Sequence, residues 1–252
     1  MFKNLKDMFR GVSEWLVKPS EPPLPSDHPF SLVDRAMRAH DYDALVGAAN
    51  DLVHLLPLNN MVPGENGKVN FPRMLVGIAE FLAKKPAYVP AAIAIAKNVI
   101  ACGPPNYIYK TMSAQFILDC ADRMPAGGQR TELAKYAAEQ LKDDRYMKRA
   151  LNMMLDDADV EPDARTRLGI AWFAVTHTVV SRQVDRACTM LLNDVHDAVG
   201  GLPEKQIILD LVWERHERYS SYRYYAQTER QRMWDQYSPT KVSRQFNKSH
   251  DL

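Results

Sequence analysis

This chain lacks most of the features by which a sequence declares its chemistry. Its formal net charge is +1, so no global field draws it to nucleic acid or to an acidic surface. It has only three cysteines, Cys102, Cys120 and Cys188, none of them in a CxxC or metal-like spacing. An odd set placed inside helical patterns, and expected to be buried there, fits a reducing compartment better than a disulfide framework. No apolar run approaches the roughly 18–20 residues that span a bilayer. The N-terminus has neither the long apolar core nor the small-residue cleavage site of a secretory signal. The expected location is cytoplasmic, with a membrane periphery or a large assembly as the variants of that reading.

Catalytic signatures are missing as well. There is no G-x-S-x-G, P-loop, G-x-G-x-x-G or kinase set, no HExxH and no paired Glu-x-x-His. The pieces Asp51 to His54 and Glu214 to Glu217 hold ligand types without ligand spacing. Asp156, Asp157, Asp159, Glu161 and Asp163 alternate as in a calcium loop, but Pro162 stands where that loop needs Gly and Leu168 where it needs Glu. They are read instead as acids gathered at a helix N-terminus, with Pro162 in its first turn. His40 and His177 continue apolar helix faces and read as histidines with a satisfied hydrogen bond, while His54 falls on a polar face. Cys102 sits at a helix C-terminal end, where the dipole disfavours a thiolate. Gly127-Gly128 reads as a C-cap. No catalytic residue, cofactor or metal is expected, and the chain is read as a non-enzyme.

What is present is helix. With 46% hydrophobic and 25% charged residues over 252 positions, the chain can build one large domain or two small ones. It is organised around the stretch from Lys85 to Met124. Between Pro90 and Cys102 only Lys97 and Asn98 are polar, which predicts a helix buried almost all round. Gly103 ends it and Pro104-Pro105 begin the next. That helix carries a stripe at Tyr109, Met112, Phe116, Ile117, Cys120, Ala121 and Met124, with Lys110, Gln115, Asp119, Asp122 and Arg123 off it.

In order, residues 1–17 form an amphipathic docking helix and 18–30 a proline-rich linker of extended, semi-rigid geometry. Residues 31–202 form a helical array, 203–238 one long aromatic and arginine-rich helix, and 239–252 a polar tail. The array opens at Ser31, which with Asp34 resembles a capping box. Its first two helices lie near 31–40 and 43–56 and are followed by an irregular Asn-, Gly- and Pro-rich stretch. Further helices are placed near 72–84, 88–102, 105–124, 129–142, 144–156, 162–178, 182–199 and 203–237, and no Gly or Pro marks the break near Thr178. Taken in pairs the helices start about 33–39 residues apart, the range of TPR and HEAT solenoids. No repeat signature recurs in the blocks. The fold class is therefore all-α, an irregular α-solenoid or helical-hairpin array, with a compact all-α domain as the alternative.

The functional expectation is a non-enzymatic scaffold or accessory subunit of a larger protein assembly. Its interface residues are Phe2, Leu5, Phe9, Trp15 and Leu16 at one end. At the other they are Trp213, Tyr222, Arg223, Tyr225, Arg230 and Trp234. Tyr, Trp and Arg bury large area at modest entropy cost and still hydrogen-bond, as interface anchors do. The expected partners are other protein subunits. Nucleic acid is disfavoured, because acidic residues are dispersed among the arginines; a membrane surface for residues 2–17, self-association, and packing of either terminal helix on the chain's own body stay as alternatives.

Overall fold

A computed structural model of the chain describes residues 29–55, 61–62, 69–102, 107–141, 144–198 and 202–219. The N-terminal docking helix, the proline linker up to residue 28 and everything beyond Tyr219 lie outside the described residues. Ten α-helices run through the described part: α1 (Pro29–Ala39), α2 (Tyr42–Leu55), α3 (Phe71–Leu82), α4 (Val89–Cys102), α5 (Tyr107–Asp122), α6 (Gly128–Gln140), α7 (Asp144–Val160), α8 (Ala164–His177), α9 (Ser181–Ala198) and α10 (Leu202–Tyr219). A two-residue antiparallel ladder, β1 (Met61–Val62) with β2 (Val69–Asn70), precedes α3. The all-helical expectation holds, and α1 to α9 lie within about four residues of their predicted spans; the predicted helix 203–238 is described from Leu202 to Tyr219, and the short ladder was not predicted.

The chain divides into two compact units, one of described residues up to Pro125 with Glu132–Ala150, the other of Ala126–Thr131 with those from Leu151 onward. In the first, each helix from α2 to α5 packs on its sequence neighbour, α2 also packs on α4, and α3 on α5. Leu45, Leu52, Leu75, Ile78, Ile95 and Ile117 are fully buried there. The Tyr42 ring stacks between Phe81 and Tyr88, at 5.6 and 5.2 Å between centroids, tying α2 to the turn between α3 and α4. In the second unit α9 packs on both α8 and α10, around Val184, Cys188 and Leu191.

Several local expectations need correction. α1 begins at Pro29 rather than Ser31, because a proline's fixed φ and missing N–H suit a first helical turn. Asp34 therefore lies inside the helix and pairs with Arg38 at 2.8 Å. α4 is not buried all round. Ala92, Ile93, Ala96, Val99 and Ile100 are inside, but Ala94 and Ala101 are exposed in line with half-exposed Lys97 and Asn98. Exposed alanine costs little, so an apolar composition did not demand burial there. The Lys97 ammonium lies 4.8 Å from the Tyr136 ring centroid. α5 buries Phe116, Ile117, Cys120 and Ala121 of its predicted stripe together with Ser113, Ala114 and Leu118, while Tyr109 and Met112 are half-buried and Met124 lies beyond the helix. Cys102 is exposed at the end of α4, so only Cys120 and Cys188 are buried. Burial pushes those two thiols up to about 11 and about 12, which keeps both protonated and inert.

The break near Thr178 has a chemical cause. Thr178 is extended, its hydroxyl donates to Gln183 Oε1 at 2.7 Å, and it accepts from Val180 N–H at 3.1 Å. His177 donates from Nδ1 to the Phe173 carbonyl at 2.8 Å and stacks on the Phe173 ring, which is the satisfied histidine expected. His40 is different. It lies beyond α1 in the left-handed region, with φ 54°, and closes a Schellman cap. Asp41 N–H bonds Ala36 O at 2.9 Å and His40 N–H bonds Met37 O at 3.2 Å. A side chain in that conformation costs about 1 kcal/mol that glycine avoids. His40→Gly is expected to raise stability by about 0.5–1 kcal/mol after glycine's larger unfolded-state entropy is counted. The urea midpoint measures it, and an unchanged or lower midpoint contradicts this account of the cap.

Candidate protein-interaction site

Of the residues expected at an interface, the structure places one. Trp213 lies on α10, half-buried. Phe2, Leu5, Phe9, Trp15, Leu16, Tyr222, Arg223, Tyr225, Arg230 and Trp234 lie outside the described residues, and the predicted helix 203–238 is described as α10 to Tyr219. On α10, Ile208, Leu209 and Val212 are buried, while Arg215 donates from Nη2 to the Thr176 carbonyl at 2.8 Å and so caps the end of α8.

The acidic run from Asp156 to Asp163 does not gather at one helix N-terminus. α7 continues to Val160, so Asp156, Asp157 and Asp159 ride on its last turns, where the macrodipole is unfavourable to carboxylates. Pro162 stands before the N-cap, outside the first turn. Two of the five act as expected of the group: Asp163 caps α8 by accepting from Thr166 N–H at 2.8 Å and from the Thr166 hydroxyl, and Glu161 accepts from the Asp163 N–H at 3.1 Å. Those hydrogen bonds from Thr166 hold the Asp163 carboxyl below the usual range.

The other three acids are held by arginines about a helix pair away. Asp156 and Asp159 are clamped by Arg186, which reaches Asp156 at 2.8 Å and also binds Asp159. Asp157 is 2% exposed. Its carboxylate accepts from the Thr131 hydroxyl at 2.8 Å and Gly127 N–H at 3.3 Å, and Arg130 Nε lies 2.9 Å away in ion-pair contact. Gly127 is an N-cap and not a C-cap: its carbonyl accepts from Thr131 N–H at 3.1 Å. Its φ of 148° is one that a side chain rarely adopts. The Asp157 charge thus lies beside the N-terminus of α6, where backbone donors and dipole both favour it.

These contacts recur. Arg149 bonds Asp119 and Asp122, 30 and 27 residues back, at 2.6 and 2.8 Å. Arg186 bonds Asp156 and Asp159, again 30 and 27 residues back. Tyr146 donates to Gln115 at 3.1 Å and Gln183 to Asn152 at 2.7 Å, each 31 residues back. The Arg130 and Asp157 pair has its counterpart in Arg167 and Asp194, a bidentate pair at 2.6 and 2.9 Å. Every member of these contacts has its counterpart 37 positions further on, and α5, α7 and α9 begin at 107, 144 and 181. Sequence reading missed this register. Its trace is Arg149-Ala150-x-x-Met153-x-Leu155-x-Asp157 against Arg186-Ala187-x-x-Met190-x-Leu192-x-Asp194.

No protein family matches the chain, and no curated protein is found to be similar to it. No group of three or more His, Cys, Asp or Glu among the described residues could hold a metal ion. None of the helices among those residues is long and apolar enough to cross a membrane.

The two kinds of clamp differ in energy. Removing Asp157 takes the carboxylate from the buried Thr131 hydroxyl and from the half-buried Arg130 guanidinium, so Asp157→Ala is expected to cost about 3–5 kcal/mol. Arg149 and its acids are each more than a third exposed, and Arg149→Ala is expected to cost at most about 1 kcal/mol. Denaturant titration of the two variants checks the ordering, and equal losses contradict it. The register also singles out Ser113, fully buried with no hydrogen-bond partner for its hydroxyl among the described residues. Its counterparts are the fully buried Ala150 and Ala187. Ser113→Ala is expected to be neutral or stabilising by about 1 kcal/mol, and a clear loss of stability in the same titration contradicts that.

Proposed function

We propose that this protein is a non-enzymatic scaffold or accessory subunit of a larger protein assembly, built as a helical-hairpin array on a 37-residue register. The observation that supports the reading is the recurrence of the Arg149 and Arg186 clamps, each on a pair of aspartates 30 and 27 residues back. Polar side chains on α5 to α9 are engaged in fixing helix against helix. Arrays of that kind offer broad, rigid surfaces to partners. The partner-binding groups in this reading are Trp213 with Tyr222, Arg223, Tyr225, Arg230 and Trp234 at one end, and Phe2, Leu5, Phe9, Trp15 and Leu16 at the other. Two tethered contacts on one chain add avidity even where each is weak.

Absolute mass by light scattering tests this on the full chain beside versions lacking residues 1–26 or 220–252; the second cut keeps Arg215 on α8. The expected result is a full chain that self-associates or captures other proteins, with either truncation folded, monomeric and inert. If all three are monomeric and neither truncation changes what is captured, the terminal segments are not interfaces. Pelleting with anionic vesicles, or nucleic-acid binding that weakens steeply with salt, would replace this reading with a different one.

A further inference from the structure

The register of α6, α8 and α10 exposes one face that is incomplete. Two parallel rows of side chains face inward on α6. One is Leu133 and Ala137, continued by Leu141 just past the helix; the other is Ala134 and Ala138, and all five are buried. Thirty-seven positions on, α8 repeats both rows, with Ile170, Ala174 and Thr178 beside Ala171 and Val175, again all buried. On α10 the second row is kept, since Ile208 and Val212 are buried. The first row is not. Ile207 is 57% exposed, against 6% for Leu133 and 7% for Ile170, and Leu211 and Arg215 are half-buried. In the open row Leu211 stands where α6 and α8 have alanine, while Arg215 reaches the Thr176 carbonyl.

α6 and α8 are each followed in sequence by a further helix, α7 and α9, of 17 and 18 residues. α10 is the last described helix. The chain that follows it, from Ser220 to Ser238, is bounded by Pro239, contains no Gly or Pro, matches those helices in length and carries Tyr222, Tyr224, Tyr225 and Trp234. We propose that the open Ile207–Leu211 row of α10 is the seat of the chain's own residues 220–238, which pack there as the element that completes the array. The proposal rests on the register used above and deepens the functional reading. A seated segment would hold Tyr222, Arg223 and Trp234 in one fixed arrangement, one side on α10 and the other free for a partner, so less ordering entropy opposes binding.

Hydrogen exchange read by mass spectrometry on the full-length protein tests it. Backbone amides across 220–238 are expected to be protected. Ile207→Ser with Leu211→Ser is expected to release that protection by on the order of tenfold or more, leaving α8 and α9 unchanged. Ile207→Ser alone, at an exposed site that tolerates substitution, keeps the test readable if the pair fails to fold; its expected effect is a smaller release in the same segment. Three results overturn the seat: no protection across 220–238, protection that the substitutions do not change, or protection present only when light scattering shows a dimer. The last assigns the row to a second copy. None of them touches the Arg149 and Arg186 clamps, so the seat can fail while the array reading stands, and loss of binding in the truncations remains a separate readout.

Discussion

Asp157 carries a negative charge into a site almost closed to water, and the surrounding backbone is arranged around that charge. Burying a charged group so deeply is costly unless polar partners replace its water. Here it meets the Thr131 hydroxyl, the Gly127 N–H and the Arg130 guanidinium, all from the first turn of α6 or its cap. Two of these are hydrogen-bond donors and the third an ion-pair contact, and the glycine that supplies the backbone donor has a φ of 148°. One carboxylate on α7 thus draws its contacts from the cap and first turn of α6. The arginine–aspartate pair, without the hydroxyl and cap donors, recurs at Arg167 and Asp194.

A buried ion pair is weak evidence for stability, since apolar residues of similar volume often do as well. The chain contains its own comparison. Thirty-seven positions before Arg130 and Asp157 stand Ile93 and Cys120, both buried, so the equivalent place in the first unit is filled by apolar packing. What a charged pair adds is direction. Two apolar side chains can slide or rotate against each other at little cost, whereas a carboxylate held by two donors and a guanidinium has one arrangement that satisfies it.

The helices were legible because periodicity and terminators are local. α2, α5, α8 and α9 lie within a few residues of their predicted spans, and even the unmarked break at Thr178 was placed correctly. Properties that depend on a partner far along the chain were not legible. Nothing within a few positions of Asp156 says that Arg186 will hold it. An acid run beside a proline therefore looked like a helix start, although three of its members sit at a helix end. His40 looked like one more residue on the face of α1, because its left-handed φ is imposed by the cap that Ala36 and Met37 complete. The 37-residue spacing of these contacts was hidden for a related reason. Apolar positions in the three blocks exchange Ala, Leu, Ile, Met and Val freely, since packing requires only volume and patterning. The Arg, Asp and Met positions that do match are few and widely spaced.

The surface clamps add a constraint that their small energies understate. Arg149 grips aspartates three positions apart on α5, and Arg186 grips two on α7 with the same spacing. Residues three apart on a helix lie on one side of it, separated by most of a turn. A guanidinium with a planar fork of donors can reach both only if the two helices have one relative rotation and one offset along their axes. Each clamp is thus a two-point measurement of register, worth little as an isolated salt bridge and considerably more as a selector among packings of nearly equal apolar burial. Cores rich in alanine and methionine, as at Ala134, Ala138, Met153 and Met154, need such selectors, because small and flexible side chains leave helix rotation poorly determined.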